Sequence, residues 1–155
     1  MTELTPFTGP VWRIMFANQQ QHAASPVQSP IGRFHHSGQT ALYTSLTETG
    51  ATTAIQRYID LDDPDRVIIQ LNIIADRIFD IRQTDFVKQA SVVWQDCVEK
   101  GLPSPTWKYS DAAREAGAQG MLYSSRSRPD LTHFVLFDVS DSVVTESDIV
   151  KPWTN

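Results

Sequence analysis

Hydrophobic and polar positions change period several times along the chain, and each change marks a predicted element. Residues 11–16 (Val-Trp-Arg-Ile-Met-Phe) form an apolar run broken by Arg13, which reads as a first strand carrying one charge. That charge either faces water or, if buried, needs an anion. Residues 18–30 are rich in Gln, Ala, Ser and Pro and predict a loop able to lie over a site. Residues 41–46 predict a second strand. Over residues 51–59, Ala51, Ala54, Ile55, Tyr58 and Ile59 recur at helical spacing and predict a stripe packed on a sheet, ended by Pro64. Residues 66–74, with Val67, Ile68, Ile69, Leu71, Ile73 and Ile74, predict a buried strand, and 76–82 a further strand or a turn.

Beyond this point Phe86, Val87, Ala90, Val93, Trp94, Cys97 and Val98 predict an amphipathic helix over 85–100, closed by Gly101. Ser110-Asp111 is suited to cap a short helix through Ala116, with Gly117 at its end. Residues 119–123 predict a strand that delivers Ser124, Ser125, Arg126, Ser127 and Arg128 to its end, and 132–139 a last strand. The acidic tail carries only weak signals. Several short strands interspersed with two or three helices predict an α+β fold, and 155 residues fit one domain spanning 1–155.

The net charge of −5 argues against a nucleic acid or an anionic membrane as partner, so anions have to be bound locally by chosen arginines. A single cysteine, Cys97, leaves no internal disulfide, and no Cys/His spacing suits a metal. Neither a signal peptide nor a membrane span is legible, which predicts a soluble cytoplasmic protein.

Chemistry concentrates in residues 32–43, Gly-Arg-Phe-His-His-Ser-Gly-Gln-Thr-Ala-Leu-Tyr, which bring a cation, two imidazoles, two glycines and a phenol together. Arg33 offers a planar fork for phosphate or carboxylate, and Tyr43 a flat face with a polar tip. The segment is open to two readings, a binding loop or a polar hairpin loop with Arg33 solvated. A second cluster follows Tyr123. Arg13, Arg33, Arg126 and Arg128 together suit a diphosphate, while Arg126 and Arg128 alone suit a solvated loop. Ser125 is either a ligand contact or a turn cap. A triad of Ser125, His133 and Asp138 lacks the Gly-x-Ser-x-Gly elbow, and His35-His36 lacks a third metal ligand.

Arg13 in the first strand, Gly32-Arg33-Phe34, Ala41-Leu42-Tyr43-Thr44-Ser45, Gly120-Met121-Leu122-Tyr123-Ser124-Ser125-Arg126 and Phe134-Val135-Leu136-Phe137 resemble, in order and spacing, the RES-domain family. The resemblance covers most of the chain. It implies an ADP-ribosyltransferase-like α+β domain, with a central split, mainly antiparallel β-sheet flanked by short helices. It further implies a toxin of a bacterial toxin–antitoxin pair that consumes NAD as substrate, without a metal. ADP-ribosyl transfer to a host protein is the preferred reaction, with NAD hydrolysis or phosphorolysis and an inactive binding module as alternatives. The implied partner is an Xre-like antitoxin in a multi-subunit complex.

By the same resemblance Arg33, Tyr43 and Ser125 are expected to be catalytic, and Arg13, Arg33, Tyr43, Ser125 and Arg126 to bind NAD. The family's glutamate aligns on Ala54, with Gln56 two positions on and Glu48 and Asp60 flanking the helix as substitutes. Cleavage of the nicotinamide glycosidic bond passes through an oxocarbenium-like ribose, which a nearby carboxylate ordinarily assists.

Overall fold

The computed structural model describes residues 3–82 and 93–155. Its strands are β1 (Leu4–Phe16), β2 (Leu42–Ser45), β3 (Arg66–Asp80), β4 (Gly120–Ser124), β5 (Thr132–Leu136) and β6 (Val144–Trp153). Among the described residues three α-helices accompany them: α1 (Glu48–Ile55), α2 (Trp94–Glu99) and α3 (Trp107–Glu115). The fold is α+β, as the pattern predicts.

The strands pair in the order β1-β2-β5-β4-β3-β6, and β1 pairs with β3 as well, so the circuit of pairings closes. Every pairing is antiparallel except β3 with β4. The weak link is β1 to β2, which meet at one register position, Trp12 opposite Ser45. The split there leaves room for a cleft.

Sequence dictates how β3 is covered. Val67, Ile68 and Ile69 are all buried, because Ile68 packs with Ile14 and Ala51 under α1 while Val67 and Ile69 join the main core. From Leu71 onward only one face is covered, and Leu71, Ile73 and Ala75 alternate with exposed Asn72, Ile74 and Asp76. Phe134, fully buried in that core, meets Phe7 edge-on at 4.8 Å. Truncating it to alanine would cost about 3–5 kcal/mol. A second core, built on Phe34, Tyr109, Met121 and Val135, joins α3 to the opposite face of β4 and β5.

Several boundaries differ from the sequence reading. β1 starts seven residues earlier than the predicted Val11, because Pro10 sits opposite Asn72 without ending the strand and a register shift between Thr5 and Phe7 absorbs Pro6. Residues 76–80 continue β3. The helix predicted from Ser110 starts three residues earlier, at Trp107, and Gly117 ends it with φ +85°. α1 is capped by the Thr47 hydroxyl, which accepts the Gly50 N–H at 2.9 Å. Tyr58, expected on the packed stripe, is 56 % exposed in a 3-10 turn after α1. Of the helix predicted over 85–100, α2 lies within the described residues, and Phe86, Val87 and Ala90 lie outside them. The tail, whose sequence signals are weak, forms β6 on the outer side of β3.

Candidate functional site

The loop of residues 32–40 is fastened to α3 through its backbone. Trp107 Nε1 donates to the Gly32 carbonyl at 2.8 Å, and the Thr106 hydroxyl donates to that of Arg33. Arg114 reaches the carbonyls of Phe34 and Thr40, both at 2.9 Å. His36 stacks on Trp107 at 4.7 Å and meets Asp111 at 2.8 Å, where Gln39 donates as well. Partial burial pushes the Asp111 carboxyl up, but the Gln39 and His36 hydrogen bonds outweigh it and leave Asp111 below the usual carboxylate range. His36 thus holds the loop in place.

His35 has a defined tautomer. Its Nε2 lies 2.8 Å from the Ser29 carbonyl oxygen, which can only accept, so Nε2 carries the proton. Burial lowers its pKa against the opposing pull of that carbonyl, which favours the neutral ring. Nδ1 therefore accepts from the Tyr43 hydroxyl at 2.7 Å, and the same oxygen accepts the Phe34 N–H at 2.9 Å. The polar tip expected to meet a ligand is thus largely committed to the loop, and the Tyr43 ring lines the cleft. Burial raises the phenol's pKa and keeps it protonated. Gly32 is dictated by this packing: a Cβ there would sit 2.3 Å from His35 Cε1 and 2.9 Å from the Tyr43 oxygen.

Between the loop, β1, β2, α1 and the ends of β4 and β5 opens a cleft of about 570 Å³. Arg13, Arg33, Tyr43, Ser125 and Arg126 all line it, so the structure brings the five expected binding residues together. Arg13 donates to the Ala23 carbonyl at 2.7 Å, and burial lowers its pKa to about 10. The Arg33 guanidinium lies 5.1 Å from the ring centres of both Phe34 and Tyr123, and burial lowers its pKa too. A guanidinium stays charged under either shift at neutral pH.

Arg57 is a fourth cation on the wall, while Arg128 is drawn away by an exposed ion pair with Asp130 at 2.8 Å. Ser125 makes the turn-cap contact at the edge of the cleft. Its oxygen accepts the Arg128 N–H at 3.2 Å as a turn cap does, and the residue is one of those lining the cleft.

Among the described residues, no carboxylate lines the cleft. Ala54 does line it, whereas Glu48 pairs with Lys151 at 2.7 Å and Gln56 donates to the Thr52 carbonyl at 3.0 Å. Asp60 is exposed and off the wall as well. The Ser125, His133, Asp138 triad is not assembled, since His133 meets Ser45 and Asp138 accepts the Ser140 N–H at 3.0 Å. No group of three or more His, Cys, Asp or Glu suited to a metal ion forms among the described residues. Nor does any helix among them have the length and apolarity to cross a membrane.

Sequence reasoning passed over Ser45, Tyr123, Arg57 and Trp94 as cleft residues, and considered His133 only as a member of the triad. Ser45 had a usable signal, because two positions after Tyr43 on a strand it must share that residue's face. Arg57 and Tyr58 are tied across the rim to Gln95, at 3.4 and 3.0 Å, a contact that no local pattern announces.

The family model described as RES domain matches residues 10–154. A chain of the crystal structure of the M. tuberculosis MbcT–MbcA toxin–antitoxin complex superposes with a TM-score of 0.59 at 12 % identity, covering 97 % of this chain and 84 % of that one. No curated protein matches the sequence. The fold likeness at such low identity accords with the α+β architecture described above.

Proposed function

The chain belongs to the RES-domain family, and on that premise we propose that it is the toxin of a toxin–antitoxin pair, acting on NAD. The observation that carries the reading is the charge of the cleft: Arg13, Arg33, Arg57 and Arg126 line it, without a carboxylate among the described residues, in a chain of net charge −5. Such a cleft selects an anion. Its volume and its aromatic walls, Tyr43, Tyr123 and Trp94, suit a dinucleotide whose diphosphate meets guanidinium groups while its rings find flat faces. Fixing the diphosphate holds the nicotinamide ribose, with its cationic pyridinium leaving group, for attack by a nucleophile.

ADP-ribosyl transfer to a protein is the preferred reaction, because an acceptor side chain brings its own nucleophile to a wall where Ala54 offers none. The absence of a carboxylate there also supports a second reading, a binding module that retains the pocket without turnover. In either case an Xre-like antitoxin presenting acidic groups would cover the arginines, by analogy with the complex whose fold this chain shares.

Incubation of the purified protein with labelled NAD and bacterial lysate tests the reading. Label on a discrete protein is expected. Loss of NAD without labelled protein would point to degradation, and unchanged NAD with measurable binding to the module. Expression without the partner should arrest growth.

A further inference from the structure

Ser45 and His133 face one another across the β2–β5 pairing, at a directly matched register position. Ser45 Oγ lies 2.7 Å from His133 Nδ1, and the residues are 1 % and 6 % exposed. Both line the cleft. This is the spacing at which a hydroxyl and an imidazole exchange a proton. A buried serine–histidine pair needed only to join two strands has no reason to open onto an arginine-lined cleft. Tyr123, the cross-strand neighbour of His133 on β4, brings its ring within 5.5 Å, and its buried phenol stays neutral, held up at about 12 chiefly by burial. Burial, followed by the charge of Arg33, holds His133 down to about 4, so the ring is unprotonated and able to accept at neutral pH.

Resting on the NAD reading above, we propose that Ser45 and His133 form the acceptor-activating pair of this cleft. Ser45 Oγ takes the proton of an incoming hydroxyl as that oxygen bonds to the anomeric carbon, and passes its own proton to His133 Nδ1. The bond from the anomeric carbon to nicotinamide breaks with its electron pair going to the ring nitrogen, which discharges the pyridinium. The proton leaves His133 for solvent, and nothing is oxidised or reduced. Ser45 touches the reacting group, whereas His133 acts through it. The pair thereby supplies, from the sheet, the proton acceptor that Ala54 on α1 does not.

The test measures nicotinamide release from NAD with lysate as acceptor, together with the NAD dissociation constant, for wild type, Ser45→Ala, His133→Asn and the double variant. The expected result is a fall in turnover of about 100-fold in each single variant. The double variant should fall no further, because the two residues act as a unit. The dissociation constant should move less than about 3-fold, the split that separates proton transfer from a structural role.

Turnover within about 3-fold of wild type in variants that bind NAD normally would overturn the pair and leave the NAD reading intact. Affinity lost in step with turnover would also overturn it, assigning both residues to the shape of the wall. A wild type that binds NAD without releasing nicotinamide removes the pair's role and retains the site. One that does not bind NAD removes both.

Discussion

Arg114 and Arg33 both touch Phe34, yet they serve opposite ends of one loop. Arg114 donates to the carbonyls of Phe34 and Thr40 and covers the Phe137 ring at 4.0 Å, so its fork is spent on holding backbone. Arg33 presses its guanidinium against Tyr123 and Phe34 and forms part of the cleft wall. The residue type is the same, and the groups opposite decide its use. On the α3 side carbonyls meet Arg114 and Asp111 meets His36; on the cleft side, among the described residues, no carboxylate meets the arginines.

Paired substitutions should separate the two ends most sharply. Arg33→Ala is expected to weaken NAD binding and consumption by about 100-fold or more. Its stability should fall by less than that of Arg114→Ala, because relief of the desolvated charge offsets part of the loss of the two ring contacts. Arg114→Ala should do the reverse: a stability loss of about 2–3 kcal/mol from two charged hydrogen bonds, with a smaller effect on NAD affinity. Calorimetry and equilibrium binding on both variants decide the matter. A larger stability loss in Arg33→Ala than in Arg114→Ala would sink the comparison.

Acid should strain the cleft wall before the anchor. The folded pKa of His133 is depressed to about 4, below the unfolded value near 6.5. Its contribution is therefore fully present above pH 6.5 and is lost as pH falls toward 4, because the unfolded chain takes up the proton first. Burial depresses His35 in the same direction. The wild type should lose roughly 3 kcal/mol through His133 over that window. His133→Asn should lose correspondingly less, as read from urea melts at pH 7, 5.5 and 4. Equal slopes for the two proteins would show that His133 titrates as it does in the unfolded chain.

These contrasts also explain what the sequence could and could not disclose. Elements with a clear period were legible: the 66–74 run, the strands after Gly120 and Leu131, and the helix closed by Gly117. β6 was not, because an outer strand exposed over most of its length, Val-Thr-Glu-Ser-Asp-Ile-Val-Lys-Pro-Trp, has no buried face to impose alternation. At the site, Arg13, Arg33, Tyr43, Ser125 and Arg126 could be named because the family resemblance supplied their positions, and all five reach one cleft. The roles inside the loop were hidden. Whether His36 serves a ligand or a helix depends on Asp111, 75 residues away. Ser45 meets His133 across 88 residues. Composition concentrates such groups, and only the topology chooses their partners.

The smallest effect concerns Asp111, the acid that completes the anchor. Partial burial raises its pKa and the bonds from Gln39 and His36 lower it by more, so the net shift is downward. The sign therefore places its stabilisation at neutral pH, fully present above an unfolded value near 3.9 and lost only as pH falls through the lower folded value. Because the side chain is 39 % exposed, solvent screening limits the contribution to under about 1 kcal/mol. Asp111→Asn keeps the shape and an acceptor for Gln39 but removes the charge facing His36. It should lower stability slightly at pH 7 and converge with wild type below about pH 3. NAD affinity should be unchanged, since Asp111 is not on the cleft wall. Urea melts of the two proteins at pH 7 and pH 3, with NAD titration at pH 7, provide the check. A variant that keeps its stability but loses NAD affinity would mean that the anchor and the cleft are one coupled unit, and the contrast between Arg114 and Arg33 would fall with it.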